Sequence, residues 1–368
     1  MGMKKWFLIL PILFLCPSVA LAQTAEPSNS GSVLSAKVIE IIEQNISSRE
    51  DGSTAIQQKI KLEVLTGERK GQEIVYDGTQ YDEMSANEYK VGDKVMVQSS
   101  PSSDGSDNFY ILNIVRTPPL VWLAIIFAAI VVAVGGWKGV RALLVLALTF
   151  VVILKFILPQ ILIGRDPLTM SIVGSLMILV MAIYLTEGFK RTSTIAISSV
   201  IVTLLITGLL SVWFTELTRL TGFNSEESMF LIGLTDTVIN IKGLLLAGMV
   251  IGALGVLDDV VVSQTAVVVG LKEANPQMSA TALYWQAMRV GVSHLGSMVN
   301  TLFLAYAGAA LPLLLLFTVH QEPFLTFGQV INNEVIAVEV VRALTGSIGI
   351  ALAVPITTLL AVKFVRSE

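Results

Sequence analysis

The chain has 368 residues, of which 54% are hydrophobic and 14% are charged, and its formal net charge is −4. Soluble domains usually carry about 25% charged residues, so this composition excludes an entirely soluble protein. The imbalance is local, because residues 31–117 are polar whereas residues 119–365 are mostly apolar. We therefore expect two parts that fold in two different solvents.

Residues 1–22 have the pattern of a secretory signal peptide. Lys4 and Lys5 precede an apolar run at 6–15 that is too short to span a membrane, and Ala20-Leu21-Ala22 is a small-residue cleavage site. An uncleaved anchor and a lipoprotein signal ending at Cys16 are the alternatives. Cys16 is the only cysteine, so the cleaved chain would have no disulfide, iron–sulfur or thiol chemistry. We predict no cofactor, and the sequence identifies no metal ligand set.

Residues 23–32 read as a flexible lead-in, and residues 33–117 as an extracytoplasmic β module. Side chains alternate with a period of two between turn signals such as Asp51-Gly52 and Gly92-Asp93, which is typical of half-buried strands. The predicted strands are 33–42, 56–66, 72–77, 93–99 and 108–116. Five short strands favour a small OB-like barrel, with an open sheet or a sandwich fragment as alternatives.

The charge of this module bears on its partners. Residues 31–117 contain nine basic and fourteen acidic residues, a net charge of −5. Binding of single-stranded nucleic acid requires a positive groove with stacking aromatic residues, so we predict no nucleic-acid partner. A protein of the cell envelope is the possible partner of residues 33–117.

Residues 118–368 are predicted to form an α-helical polytopic membrane domain. Its seven apolar runs are each near the length that crosses a bilayer, and they lie at 120–136, 142–162, 168–185, 193–214, 243–270, 290–317 and 344–364. The flanking Lys and Arg residues favour a cytoplasmic C-terminus and an exported β module. This arrangement predicts a multi-pass protein of the bacterial inner membrane. The loops at 215–242 and 319–343 are expected to hold helices that lie along the outer interface, with re-entrant segments as the alternative.

The fifth apolar run carries the strongest functional signal. Asp258 and Asp259 lie inside it, with Ser263 and Gln264 one turn further on. A charge within the bilayer is costly, so the carboxylates are predicted to form an ion or proton site. Adjacent residues lie about 100° apart on a helix, so the two carboxylates must point in different directions. The alternative is that the span ends at Leu257 and the aspartates cap a cytoplasmic helix.

The sixth apolar run carries a polar stripe. Its first line, at helical spacing, is Arg289, Ser293, Gly296 and Asn300, and the adjacent line is His294, Ser297 and Thr301. Such residues either bind a transported ion or hydrogen-bond across a helix pair. Arg289 is expected to pair with Asp258 or Asp259, or to be an ordinary flanking residue. Lys155 lies within the second run, where it either snorkels or pairs with Glu187, Asp258 or Glu339.

Three segments resemble the YibE/F-like family of bacterial multi-span membrane proteins: 252–260 (GALGVLDDV), 272–276 (KEANP) and 296–308 (GSMVNTLFLAYAG). The order of a signal, a small β module and several spans is similar as well. The resemblance implies an integral membrane protein without a defined activity, and it makes Asp258, Asn300 and Thr301 family-like positions. The chain departs from the family pattern at Asp259, and by lacking an acidic residue in 289–294.

Two functions are consistent with these features. The first is a secondary transporter or permease component that uses its intramembrane carboxylates. The alternative is a non-transporting scaffold or sensor whose exported β module binds an envelope partner. No hydrolase or nucleotide-binding motif is present, so we do not expect an enzyme; Ser293 or Ser297 with His294 would be its only nucleophile and base. An oligomer or a paired subunit is a further possible partner.

Overall fold

The computed structural model describes residues 33–48, 54–80, 88–101, 107–223, 228–231, 239–319, 322–323 and 325–365. The signal peptide and lead-in predicted for residues 1–32 lie outside these ranges, as do residues 224–227 and 232–238 of the loop predicted to hold an interfacial helix. The chain divides into two compact units, residues 1–126 and 127–368.

The first unit contains a five-stranded antiparallel sheet. Its strands are β1 (Val33–Ser48), β2 (Thr54–Val64), β3 (Glu73–Asp77), β4 (Lys94–Pro101) and β5 (Asp107–Ile114). The strand order is β3-β2-β1-β4-β5, so the long β1 pairs with β2 on one side and with β4 on the other. Register shifts after Val38 and Ile41 bend β1 and curl the sheet into a half-barrel. The five predicted strands and the OB-like barrel class are thereby confirmed.

Period-two alternation builds the core of this module. Ala36, Val38, Ile60 and Leu62 are fully buried, and the residues between them on each strand face outward. On the outer surface Lys59 pairs with Asp77 at 3.0 Å. Hydrogen bonds from the Thr79 hydroxyl and from Lys59 lower the pKa of the Asp77 carboxyl below its usual value.

The described residues from Thr117 onward are mostly helical. The helices are α1 (Thr117–Val152), which continues through a π-helical turn (Ile153–Ile157) into α2 (Leu158–Leu162), α3 (Pro167–Glu187), α4 (Arg191–Leu217), α5 (Ile241–Ala274), α6 (Ala280–Ala309), α7 (Leu311–Val319), α8 (Phe327–Ile331) and α9 (Glu334–Val365). Five helical stretches in the described residues are long and apolar enough to cross a membrane, or six if the bent pair α6–α7 forms one span. A multi-pass membrane domain follows from these lengths.

The longest stretch, residues 117–162, bends sharply at Gly136. Gly136 has φ 54° and ψ −132°, a conformation that only glycine adopts readily. A Cβ on Gly139 would lie 2.2 Å from the carbonyl oxygen of Val131, so the chain folds back over its own preceding turns. This break falls at the last residue of the first predicted span, 120–136.

Helices α3, α4, α5, α6 and α9 pack into a bundle. On α4, five hydroxyl residues spaced four apart are almost completely buried: Ser199, Thr203, Thr207, Ser211 and Thr215. Four of them donate to the carbonyl four residues earlier, which leaves few polar groups unsatisfied. Gly349 of α9 packs against this line, since a Cβ there would lie 2.4 Å from the Thr207 hydroxyl. Small residues thus bring α4 and α9 into close contact.

The structure corrects two boundary predictions. Residues 334–342 form no separate interfacial helix, because they are the first turns of the continuous α9. The sixth run is not one helix from 290 to 317, because α6 ends at Ala309 and α7 leaves it at an angle of 78°. In both cases the apolar content was correctly recognised, but hydropathy does not report where a helix bends.

Candidate functional site

Helix α5 runs unbroken through Asp258 and Asp259. It extends from Ile241 to Ala274, so the aspartates do not cap a separate helix. The Asp258 side chain is half-buried and that of Asp259 is exposed. The two carboxylates therefore point in different directions, as their spacing on a helix requires.

The depth of Asp258 within the bundle follows from comparison with the neighbouring helix α3. Gly243, at the start of α5, packs against Pro167, the first residue of α3. Asp258 follows Gly243 by fifteen residues, about 22 Å, whereas α3 is about 31 Å long. Asp258 thus lies about two helical turns inside the far end of α3, and not beyond the bundle.

Asp258 has acidic neighbours. Asp259 and Glu187, the last residue of α3, lie within electrostatic range of its carboxylate. Its Oδ1 atom is buried and has no hydrogen-bond partner. Among the described residues no lysine or arginine forms an ion pair with it. A proton or a cation would stabilise such a partly buried, unpaired carboxylate, because an isolated charge is costly in apolar surroundings.

Gln264 differs from the other polar residues of α5. It is 4% exposed, and its amide nitrogen donates to the Thr358 hydroxyl at 2.7 Å and to the Ala287 carbonyl at 3.0 Å. The side chain therefore joins α5 to α6 and α9. Ser263, one residue earlier, is exposed on the outside of the bundle. The structure thus separates this pair, which the sequence had grouped with the aspartates.

The polar stripe of α6 faces away from the bundle. Helix α6 packs inward through Leu283, Ala287, Gly291 and Leu302. The residues that the sequence singled out are exposed: Arg289, Ser293, His294, Gly296, Ser297, Asn300 and Thr301. They therefore do not converge on Asp258 through the interior, and the expected pairing of Arg289 with an aspartate is not observed among the described residues.

Lys155 lies in the π-helical turn between α1 and α2 and is exposed. None of its three suggested partners forms an ion pair with it in the described part of the chain. Glu339 instead accepts a hydrogen bond from Arg342 at 2.8 Å.

A second polar layer, which the sequence analysis missed, lies nearer the other end of α5. The Glu339–Arg342 pair of α9 is about three-quarters buried, and both residues lie within electrostatic range of Tyr306 on α6. The Tyr306 hydroxyl packs over Gly252, where a Cβ would lie 2.9 Å from it. Glu339 and Arg342 had been read as loop residues, and recognising that helix α9 begins at Glu334 would have revealed this layer.

One cavity lies at the turn between α5 and α6. It has a volume of about 270 Å³ and is lined by Lys272, Met278, Ser279, Ala280, Thr281, Leu283 and Val362. The Lys272 ammonium donates to the carbonyls of Pro276 and Met278, which ties it to the turn. No group of three or more His, Cys, Asp or Glu residues suited to a metal occurs in the described ranges.

Comparison with known families covers nearly the whole chain. A model of the YibE/F-like protein family matches residues 123–367, and a model of the YibE/F family N-terminal domain matches residues 32–114. The chain belongs to the YibE/F-like family. The resemblance of the three segments around Asp258 and Asn300 is thereby confirmed. No curated protein and no solved structure is detectably similar to this YibE/F-like chain.

Proposed function

We propose that this YibE/F-like protein is a secondary transporter or permease component that carries a proton or a monovalent cation through Asp258. One observation supports this most directly: a carboxylate oxygen of Asp258 is enclosed, without a partner, well inside a continuous helix. Intramembrane carboxylates of this kind mark ion and proton pathways in other membrane proteins. The proposal places the protein in a bacterial inner membrane, with the β module outside.

Glu187 extends this site toward the end of α3. It lies within electrostatic range of Asp258 and is exposed. A cation leaving Asp258 would therefore meet a second carboxylate about two turns further along the bundle. Two or more carboxylates that form no ion pair with lysine or arginine attract cations, because each contributes to the same local negative potential.

The adjacent aspartate offers a matched control for the test. We would reconstitute wild type, Asp258→Asn and Asp259→Asn in liposomes, impose a membrane potential, and follow H⁺, Na⁺ and K⁺ entry with enclosed dyes. Wild type and Asp259→Asn should conduct one of these ions above protein-free liposomes, and Asp258→Asn should not. Equal flux in Asp258→Asn, or none in wild type, would contradict the proposal.

A chemical probe gives an independent measurement. The hydrophobic carbodiimide DCCD reacts with protonated carboxyl groups in apolar surroundings, so in native membranes Asp258 should be labelled and Asp259 should not. Peptide mass spectrometry reports the labelled residue. Equal labelling at both positions would show that Asp258 is as well hydrated as its neighbour.

The scaffold or sensor alternative makes the opposite prediction. If the spans only anchor the exported module, Asp258→Asn leaves the phenotype of the cell unchanged, and deletion of residues 33–114 abolishes it. The transport proposal requires Asp258→Asn to reproduce the phenotype of the gene deletion.

A further inference from the structure

The outward face of α6 is polar. It consists of Ser293, Gly296, Ser297 and Asn300, all exposed, which we call the α6 polar face. Asn300 lies two residues from the buried Leu302, and so points about 160° away from it. The α6 polar face is therefore directed away from the bundle, toward the surroundings of the protein.

Two contacts fix the level of this face along the bundle. Tyr306 of α6 packs on Gly252, and Gln264 hydrogen-bonds to Ala287, so α5 and α6 run antiparallel in a fixed register. By this register Ser297 is level with Asp259, and Asn300 lies about one turn closer to the middle of the bundle. Arg289 is more than two turns further out than Ser297, near the level of the helix ends, where its charge reaches water.

Lipid hydrocarbon cannot form hydrogen bonds with the amide and hydroxyl groups on this face. The Asn300 amide supplies two donors and one acceptor, and the Ser293 and Ser297 hydroxyls supply one donor each. The Ser293 hydroxyl donates to the Val290 carbonyl. No partner for the Asn300 or Ser297 side chains occurs among the described residues. Polar side chains in membranes normally hydrogen-bond across helices, so a polar partner is expected here.

Helix α1, the least buried long helix among the described residues, offers few polar groups to this face. Helix α1 is apolar on both sides of its break: 118–136 has no hydroxyl, amide or charged side chain, and 142–154 has only Thr149. The π-helical turn that follows holds Lys155, but it packs on α3, where Ile157 meets Gly174. Packing α1 against the α6 polar face would leave the amide of Asn300 unsatisfied. Among the described residues no helix offers this face a set of polar partners, so we look to another polypeptide.

We propose that the α6 polar face is the contact surface of a homodimer, in which it meets the same face of a second copy. Copies inserted with one orientation are related by a two-fold axis along the membrane normal, so each residue on the contact line meets its counterpart at equal depth. This geometry suits Asn300 and Ser297, because amides and hydroxyls both donate and accept hydrogen bonds. The spacing of Ser293, Ser297 and Asn300 (four, then three) is that of a seam between two parallel helices.

Three small residues, Gly296, Ser297 and Gly308, allow the α6 helices of the two copies to approach closely. Gly296 has no neighbour within 4 Å of a Cβ position, and the same holds for Gly308 three turns further on. Small side chains on a membrane helix permit close backbone approach, which strengthens both packing and interhelical hydrogen bonds. The proposal does not depend on ion transport through Asp258.

Single-cysteine crosslinking tests the proposal in the full-length chain. In a Cys16→Ser background the chain has no other cysteine. Ser297→Cys should give a disulfide-linked dimer when native membranes are oxidised with copper phenanthroline. Leu205→Cys is the matched control: it is 52% exposed on α4 at nearly the same depth, but away from the α6 polar face.

Two differently tagged copies and Asn300→Leu complete the test. Dimer containing both tags with Ser297→Cys, but not with Leu205→Cys, supports the proposal. Asn300→Leu should reduce the dimer fraction about threefold to tenfold in single-molecule photobleaching in lipid. Equal crosslinking at both positions, a product with a different protein, or a monomer by photobleaching would overturn it.

Discussion

The side-chain amide of Gln264 donates to the hydroxyl of Thr358 at 2.7 Å in the interior of the bundle. The same nitrogen donates to the Ala287 carbonyl, so one side chain connects α5, α6 and α9. Gly291 makes room for this side chain, since a Cβ there would lie 2.7 Å from the side-chain oxygen Oε1 of Gln264. This amide fixes the register of the helix that carries Asp258 against the helix that carries the α6 polar face.

Removing this connection should destabilise the bundle. Gln264→Leu is expected to cost about 1–2 kcal/mol, because two buried interhelical hydrogen bonds are lost. Thermal unfolding in one detergent at one scan rate measures the change. Thr358→Val removes the same contact from the other side, so the double variant should lose less than the sum of the single losses. Strictly additive losses would contradict a direct connection.

The contact between Gly349 and Thr207 predicts a rescue. Gly349→Ala places a methyl group 2.4 Å from the Thr207 hydroxyl and should lower stability by about 1–3 kcal/mol. Thr207→Ala removes the clashing atoms, so the double variant should be more stable than Gly349→Ala alone. Gly255→Ala is the control, because nothing lies within 4 Å of a Cβ at that position. A failure of Thr207→Ala to restore unfolding temperature would argue against this packing.

Glu334 holds the end of α4 to the start of α9. Its carboxylate accepts hydrogen bonds from the Thr221 amide at 2.6 Å and the Gly222 amide at 2.9 Å. Glu334→Ala should cost about 1 kcal/mol, and Glu334→Gln less, because glutamine retains an acceptor oxygen. Glu216→Ala removes the exposed ion pair with Lys242 nearby and should cost less than Glu334→Ala. The same unfolding assay ranks the three variants, and an equal or reversed ranking would refute this assignment.

The break at Gly136 predicts where the chain leaves the membrane. If residues 117–135 and 137–162 are two spans, a cysteine at the exposed Lys138 is accessible to water. In the Cys16→Ser background, Lys138→Cys should react with a membrane-impermeant maleimide in inverted vesicles but not in intact cells. Leu146→Cys, which lies within the following apolar run, should not react in either. Reaction of Lys138→Cys from the outside would reverse the proposed orientation.

The strands and their module followed closely from the sequence. Alternation at Ile60, Leu62 and Val64 was a reliable signal because one face of this sheet is buried while the other is polar, so burial and hydropathy agree. The family resemblance rested on short motifs around Asp258 and Asn300, and family matches over residues 32–114 and 123–367 confirmed it. The pairing of β1 with β4 was not predictable in this way, because it joins segments far apart in the chain.

By itself the sequence determined the family, the five-stranded module and the apolar segments, because each depends on composition or on local periodicity. Only the tertiary structure decided which way each polar side chain points: Gln264 inward, Asn300 outward, and Asp258 within electrostatic range of Glu187. In a soluble helix the polar side marks the outside. In a bilayer the interior of the bundle and the lipid are both apolar, so periodicity gives the angle between two residues but not the direction in which the helix is rotated.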